Sequence, residues 1–167
     1  LKRLIDQIID FRKVNAGKLT LVAERQDIGR FTAEIIQNFG LYKTNSECRL
    51  IHNIPDDPLM VYFDTKKMEK VIYNLLSNAF KFTPAGGEIR IVLKYGNVEG
   101  EDTPDYAELS IRDSGTGIPT DQIEKIFDRF YQGKDHSGKS GLGLAIAKSI
   151  VEAHKGTITV ASTIGQG

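Results

Sequence analysis

Asn74 and Asn78 stand four residues apart and Lys81 three further on, so a helix through them places all three on one stripe. An asparagine carbonyl is an uncharged ligand for a hard cation such as Mg2+, and a lysine is a point charge for phosphate. The same spacing also serves as the polar flank of an ordinary amphipathic helix. Asp113 has the parity of Ala107, Leu109 and Ile111, which aims its carboxylate at the core side of a strand ending at Gly115 and Gly117. A carboxylate there needs a donor, because burying it unpaired costs several kcal/mol. The exocyclic amine of a nucleobase is one such donor, and the Asp-Ser-Gly turn itself is another. Gly141, Leu142 and Gly143 open a further helix, whose free N–H groups and positive dipole end suit phosphate; glycines also open helices for packing alone.

Other candidates carry less. Residues 133–140 match the phosphate-loop pattern letter for letter, with Lys139 and Ser140 in the lysine and hydroxyl places. A true phosphate loop follows a buried strand, whereas this one follows the charged run Phe127-Asp128-Arg129-Phe130-Tyr131, and no apolar strand ending in an acid comes after it. Among the histidines, His154 continues the Ile150 and Val151 stripe as a boundary core residue, His52 lies in a strand and His136 in a polar stretch. The single cysteine, Cys48, excludes an intramolecular disulfide and fits a reducing, cytoplasmic setting.

The elements that must position these residues follow from hydrophobic period. Apolar residues in 1–14 recur near the helical period, giving an amphipathic stub whose partner helix is expected outside the chain. After an extended piece at 18–23, Asp27 is placed to cap a helix carrying Ile28, Phe31, Ile35 and Phe39, stopped at Gly40. Runs at 49–54 and 59–63, separated by Pro55-Asp56-Asp57-Pro58, suggest a hairpin. Asp64 caps the clearest helix, with Met68, Val71, Ile72, Leu75, Leu76 and Ala79 on one face, ended by Pro84 and Gly86-Gly87. Ile89, Ile91 and Leu93 alternate as a strand, an acidic loop spans 96–105, and Ala107, Leu109 and Ile111 form the next strand. A helix over 121–130, a polar stretch at 132–140 expected to be mobile, a helix over 142–154 stopped at Gly156, and a strand with Ile158 and Val160 inward complete the chain. Strands and helices mix without strict βαβ alternation, which predicts an α+β fold: a two-layer α/β sandwich with a mixed sheet and helices on one face.

Composition narrows the function. In 167 residues, 22 Lys plus Arg balance 22 Asp plus Glu, so no basic field draws the chain onto nucleic acid or anionic lipid. Apolar runs stay far short of the roughly 20 residues that span a bilayer, so no membrane contact by this fragment is expected.

In order along the chain, four segments resemble the motifs of the ATP-binding catalytic domain of two-component sensor histidine kinases, whose Bergerat-type fold is shared with gyrase, Hsp90 and MutL. The run from Asn74 to Thr83 is similar to the N box, Asp113-Ser114-Gly115-Thr116-Gly117-Ile118 to the G1 box, Ile126-Phe127-Asp128-Arg129-Phe130 to the F box and Gly141-Leu142-Gly143-Leu144 to the G2 box. The resemblance implies Asn78 as the Mg2+ ligand, Asn74 lining the same site, Lys81 at the phosphates, and Asp113 on the adenine amine, with Gly115 and Gly117 shaping that wall. It implies Phe127 and Leu142 among the cofactor-binding residues, Gly141 and Gly143 admitting the triphosphate, and residues 132–140 as an ATP lid. Asn at 74, in place of the Glu that serves the ATPase relatives as hydrolytic base, favours the kinases. Lys139 replaces a glycine, and Gln132 a basic residue, that many relatives carry.

The same resemblance divides the chain into residues 1–21, the end of a dimerisation and phosphoacceptor hairpin with its linker, and 22–167, the catalytic domain. It implies a protein histidine kinase fragment that uses ATP and Mg2+. Its partners would be a phosphoacceptor hairpin of the same protein or its dimer mate in a homodimer, and a response-regulator receiver domain. The His-Glu acceptor segment is absent from these residues, so no catalytic histidine is assigned and the fragment is not expected to phosphorylate itself. A phosphotransfer-inactive nucleotide sensor and a P-loop ATPase are the alternatives.

Overall fold

The computed structural model describes residues 19–42, 47–96, 106–132 and 141–167. The stub expected at 1–14, most of the acidic loop, and residues 133–140 with the phosphate-loop match, His136 and Lys139 lie outside the described residues.

The elements run β1 (Glu24–Asp27), α1 (Ile28–Tyr42), β2 (Arg49–Asn53), β3 (Met60–Phe63), α2 (Thr65–Phe82), β4 (Glu88–Gly96), β5 (Tyr106–Asp113), a 3-10 helix (Thr120–Phe127) and α3 (Gly143–Ala153). Asp27 ends β1 and also caps α1, its Oδ1 accepting from the Gly29 N–H at 3.0 Å. Asp64 caps α2 as its position predicts, accepting from the Lys67 N–H.

The strands pair differently from a hairpin. β2 runs parallel to β4, which is antiparallel to β5, while β3 pairs antiparallel with β1. Pro55 and Pro58 lack the N–H donors that a ladder closing across the intervening turn would use, and α2 supplies the crossover that a parallel β2–β4 pair requires. Among the described residues the mixed sheet is therefore three-stranded, and β1 and β3 form a separate two-stranded ribbon. Ile89, Ile91 and Leu93 of β4 are buried toward the helices, whereas Arg90 and Lys94 on the other face are exposed. One core cluster joins Ile35, Ile36 and Phe39 of α1, Ile72 and Leu76 of α2 and Ile91 of the sheet. A second joins Val71 of α2 to Leu142, Ile146, Ala147 and Ile150 of α3. The fold is the two-layer α+β sandwich with helices on one face of a mixed sheet.

Four local expectations are corrected. α1 continues through Gly40 to Tyr42, because Gly40 keeps a helical φ instead of the left-handed one that stops a helix. The segment expected as a helix over 121–130 is a shorter 3-10 helix without a fully buried side chain, closed by Gln122 N–H to the Pro119 carbonyl and Asp128 N–H to the Lys125 carbonyl. α3 ends at Ala153, and beyond its cap Lys155 (φ 59°) takes the left-handed position ahead of Gly156, whose N–H reaches back to the Val151 carbonyl. Ile158 and Val160 are half-buried and alternate with exposed neighbours, but no backbone ladder pairs them among the described residues. Alternation sets the burial; a ladder also needs a strand within reach.

Candidate functional site

α2 is the common wall of the site. Its apolar stripe fixes the rotation of the helix, and this turns Asn74 toward the start of α3: Asn74 Nδ2 donates to the Gly143 carbonyl at 3.2 Å. A Cβ on Gly143 would stand 3.3 Å from Asn74 Oδ1, so the glycine sets how closely the two helices approach. One turn further along α2, Asn78 is half-buried and its side-chain amide makes no hydrogen bond among the described residues. Lys81, in the last turn, is exposed, its Nζ 4.4 Å from the centre of the Phe82 ring.

At this same end of α2, a Cβ on Gly115 would come within 2.5 Å of the Phe82 carbonyl oxygen. Gly115 is buried for that reason, and it seats the end of β5 against the end of the helix. Asp113 is half-buried with the parity of Ala107, Leu109 and Ile111, and its Oδ1 accepts the Gly115 N–H at 2.9 Å. Among the described residues no donor reaches Oδ2. The carboxylate thus builds the turn with one oxygen and leaves the other unengaged among the described residues. Gly117 has φ +72°, and a Cβ there would overlap the Thr163 carbonyl. These two glycines therefore admit the protein's own backbone, not open space for a ligand. The 162–167 turn braces the loop: Ile118 N–H donates to Ser162 Oγ at 2.8 Å and Gly165 N–H to the Thr116 carbonyl at 2.9 Å.

α3 starts without a side-chain cap, and its first intrahelical bond runs from Ile146 N–H to the Leu142 carbonyl. The N–H groups of Gly143, Leu144 and Ala145 precede that bond and have no partner within the helix. Leu142 itself is 1% exposed and packed in the α2–α3 cluster, so its side chain belongs to the core and only its backbone borders the site. Gly141 has φ +64° and lies against Phe130, whose N–H donates to the Gly141 carbonyl. Phe127 stands on the α3 side, 5.5 Å from Lys148 Nζ.

Asn74, Asp113, Gly115 and Gly143 are brought together around α2. Among the described residues no contact draws Lys81 or Phe127 into that group. Sequence reasoning missed the role of His154: its Nε2 accepts the Asp64 N–H at 3.0 Å and its Nδ1 faces the Ile150 carbonyl at 2.8 Å. Its place on the Ile150 stripe put it at the core boundary, and nothing local pointed to a partner 90 residues away. Among the described residues no group of three His, Cys, Asp or Glu side chains could hold a metal.

One wall helix thus touches both a half-free carboxylate turn and an uncapped helix start. Residues 63–167 match the family described as histidine kinase-, DNA gyrase B- and HSP90-like ATPases, and the chain belongs to that family. It is similar to histidine kinase P4 of Formosa agariphila, 38% identical over 95% of this chain and 12% of that protein. The sensor histidine kinase WalK of Bacillus subtilis is 35% identical over 99% of this chain and 27% of its own length. Among solved structures, the mycobacterial sensor histidine kinase MprB matches at 29% identity with a TM-score of 0.62, over 80% of this chain and 81% of that one. The domain is thus of the ATP-binding catalytic kind found in sensor histidine kinases.

Proposed function

We propose that residues 22–167 bind Mg2+·ATP and, in a longer protein, present its γ-phosphate to a histidine on a helical hairpin, from which a receiver domain takes it. The observation that carries this reading is the placement of α2 between the Asp113 turn and the uncapped start of α3, through Gly115 at one end and Asn74 at the middle. Asp113 Oδ2 accepts the adenine amine while Oδ1 stays on the Gly115 N–H. The N–H groups of Gly143, Leu144 and Ala145 donate to phosphate oxygens with the dipole of α3 behind them. Asn78 fits as the protein ligand of Mg2+, since its amide is half-buried and uncommitted and a lone carbonyl suits a cation that keeps waters and phosphate oxygens. That cation supplies charge neutralisation at the transferring phosphoryl group. Lys81, exposed at the end of α2, adds a mobile positive charge near the phosphates. Both ring nitrogens of His154 are engaged, and the described His52 lies exposed on β2, so neither has the setting of an acceptor.

Calorimetric titration with ATP tests this. Asp113→Asn exchanges an ionised acceptor for a neutral amide and should cost about 1.5–3 kcal/mol, roughly ten- to a hundredfold in affinity. GTP, lacking that amine, should bind comparably poorly, and Lys139→Ala should cost under about 1 kcal/mol. Strong loss at Lys139 with Asp113→Asn and GTP both tolerated would instead establish a phosphate-loop mode of binding.

A further inference from the structure

We propose that Asp64 couples the segment entering the domain, residues 19–22, to the phosphate-binding start of α3, with His154 as the positioning residue that passes the coupling on. The inference rests on the proposed role of α3 in holding phosphate. Beyond the helical bond of its own carbonyl with the Met68 N–H, four contacts meet on Asp64, which is 4% exposed. Val22 N–H donates to Oδ2 at 2.9 Å, Lys67 N–H to Oδ1 at 3.1 Å, and Lys67 Nζ to Oδ2 at 3.0 Å. The Asp64 N–H in turn donates to His154 Nε2 at 3.0 Å. Because Nε2 accepts, the proton of the neutral ring sits on Nδ1 and is donated to the Ile150 carbonyl at 2.8 Å. A continuous path of hydrogen bonds therefore leads from the backbone of Val22 through Asp64 into the last turn of α3.

The entering segment is also held by Leu19, which packs on the cluster of Val71, Leu142, Ile146, Ala147 and Ile150. α3 is thus pinned to α2 at both ends, by Asn74 on Gly143 and by His154 on Asp64. Of these two pins, the path from residue 22 meets the His154 one. An 11-residue helix about 16 Å long moves as a rod, so a shift at its His154 end changes the placement of Gly143, Leu144 and Ala145. If residue 22 is drawn away, Asp64 Oδ2 loses a donor where water has little access, and the carboxylate must move. Tension on the incoming chain is in this way felt at the phosphate site.

Val22→Pro removes the N–H, while Val22→Ala keeps it; the Val22 side chain is 69% exposed, so little packing changes in either. His154→Phe removes both ring bonds, and His154→Gln restores an acceptor. The amide resonances of Gly143, Leu144 and Ala145 without nucleotide are the first readout, and affinity for a non-hydrolysable ATP analogue with Mg2+ is the second. Val22→Pro and His154→Phe should shift those amides and weaken binding about three- to tenfold. Val22→Ala and His154→Gln should do neither, and the double variant Val22→Pro/His154→Phe should bind no more weakly than His154→Phe alone. Unmoved amides in Val22→Pro and His154→Phe would overturn the coupling, whatever their melting temperatures. Should Val22→Pro not fold, equal shifts in His154→Phe and His154→Gln overturn it and shifts in Phe alone sustain it. A wild-type chain that binds no analogue would refute the phosphate reading, while the amide shifts still decide the coupling.

Discussion

At Asp64, burial alone would raise the carboxyl, but the Val22 N–H, the Lys67 ammonium and the Lys67 N–H bond to its ionised form and hold it below the ordinary carboxylate value. A folded-state pKa below the unfolded one means that the unfolded chain takes up the proton first as pH falls. The stability Asp64 contributes is therefore present above pH ~4 and lost as pH drops through the folded-state value. Asp64→Asn should melt well below wild type at pH 7, and the gap in melting temperature should close under acid. Tyr95 poses the opposite case. Its hydroxyl is buried without a partner among the described residues and sits against Gly29, where a Cβ would lie 2.5 Å from it. Burial, with Asp27 and Asp57 adding to it, pushes the phenol above its ordinary value and keeps it neutral. Tyr95→Phe removes an unpaired polar atom and should be neutral or stabilising by about 1 kcal/mol, whereas Gly29→Ala should destabilise; urea unfolding of both variants checks the pair.

Elements with a strong local period are legible in the order of residues alone. The Met68, Val71, Ile72, Leu75, Leu76 and Ala79 stripe and the Asp64 cap place α2, and the parity of β5 turns Asp113 to the core side. Helix ends are harder, because they depend on one residue's φ. Lys155 takes the left-handed conformation in place of Gly156, at a cost that a side chain bears and glycine does not. Lys155→Gly should raise stability by about 1 kcal/mol, measurable as a higher urea midpoint with an unchanged slope. Strand partners and the Asp64–His154 contact are not legible, since both join residues far apart in sequence and leave no periodic trace. The glycines of the candidate site stand out by pattern, but what Gly115 and Gly117 accommodate, the Phe82 and Thr163 backbone, emerges only from the assembled elements.

Across the whole molecule, α2 belongs to both core clusters, facing α1 and the sheet with Ile72 and Leu76 and facing α3 with Val71. Leu76 is 0% exposed, so Leu76→Ala should cost about 2–5 kcal/mol, and calorimetry should show one transition shifted down with no second one split off. No helix of the described residues is long and apolar enough to cross a membrane. The parallel pairing of β2 with β4 matches Arg49 to Glu88 and Asn53 to Val92, so β2 has no partner in its own neighbourhood. As the chain leaves the ribosome, β2 and β1 are made early and each must wait, β1 for β3 and β2 for the residues beyond α2. Closing such distant pairs is slow, and a strand waiting with open edges is the segment a chaperone would shield or an aggregate would recruit. The order of synthesis therefore runs against the order of assembly, and pulse-labelled refolding should protect the amides of β4 and β5 before those of β2.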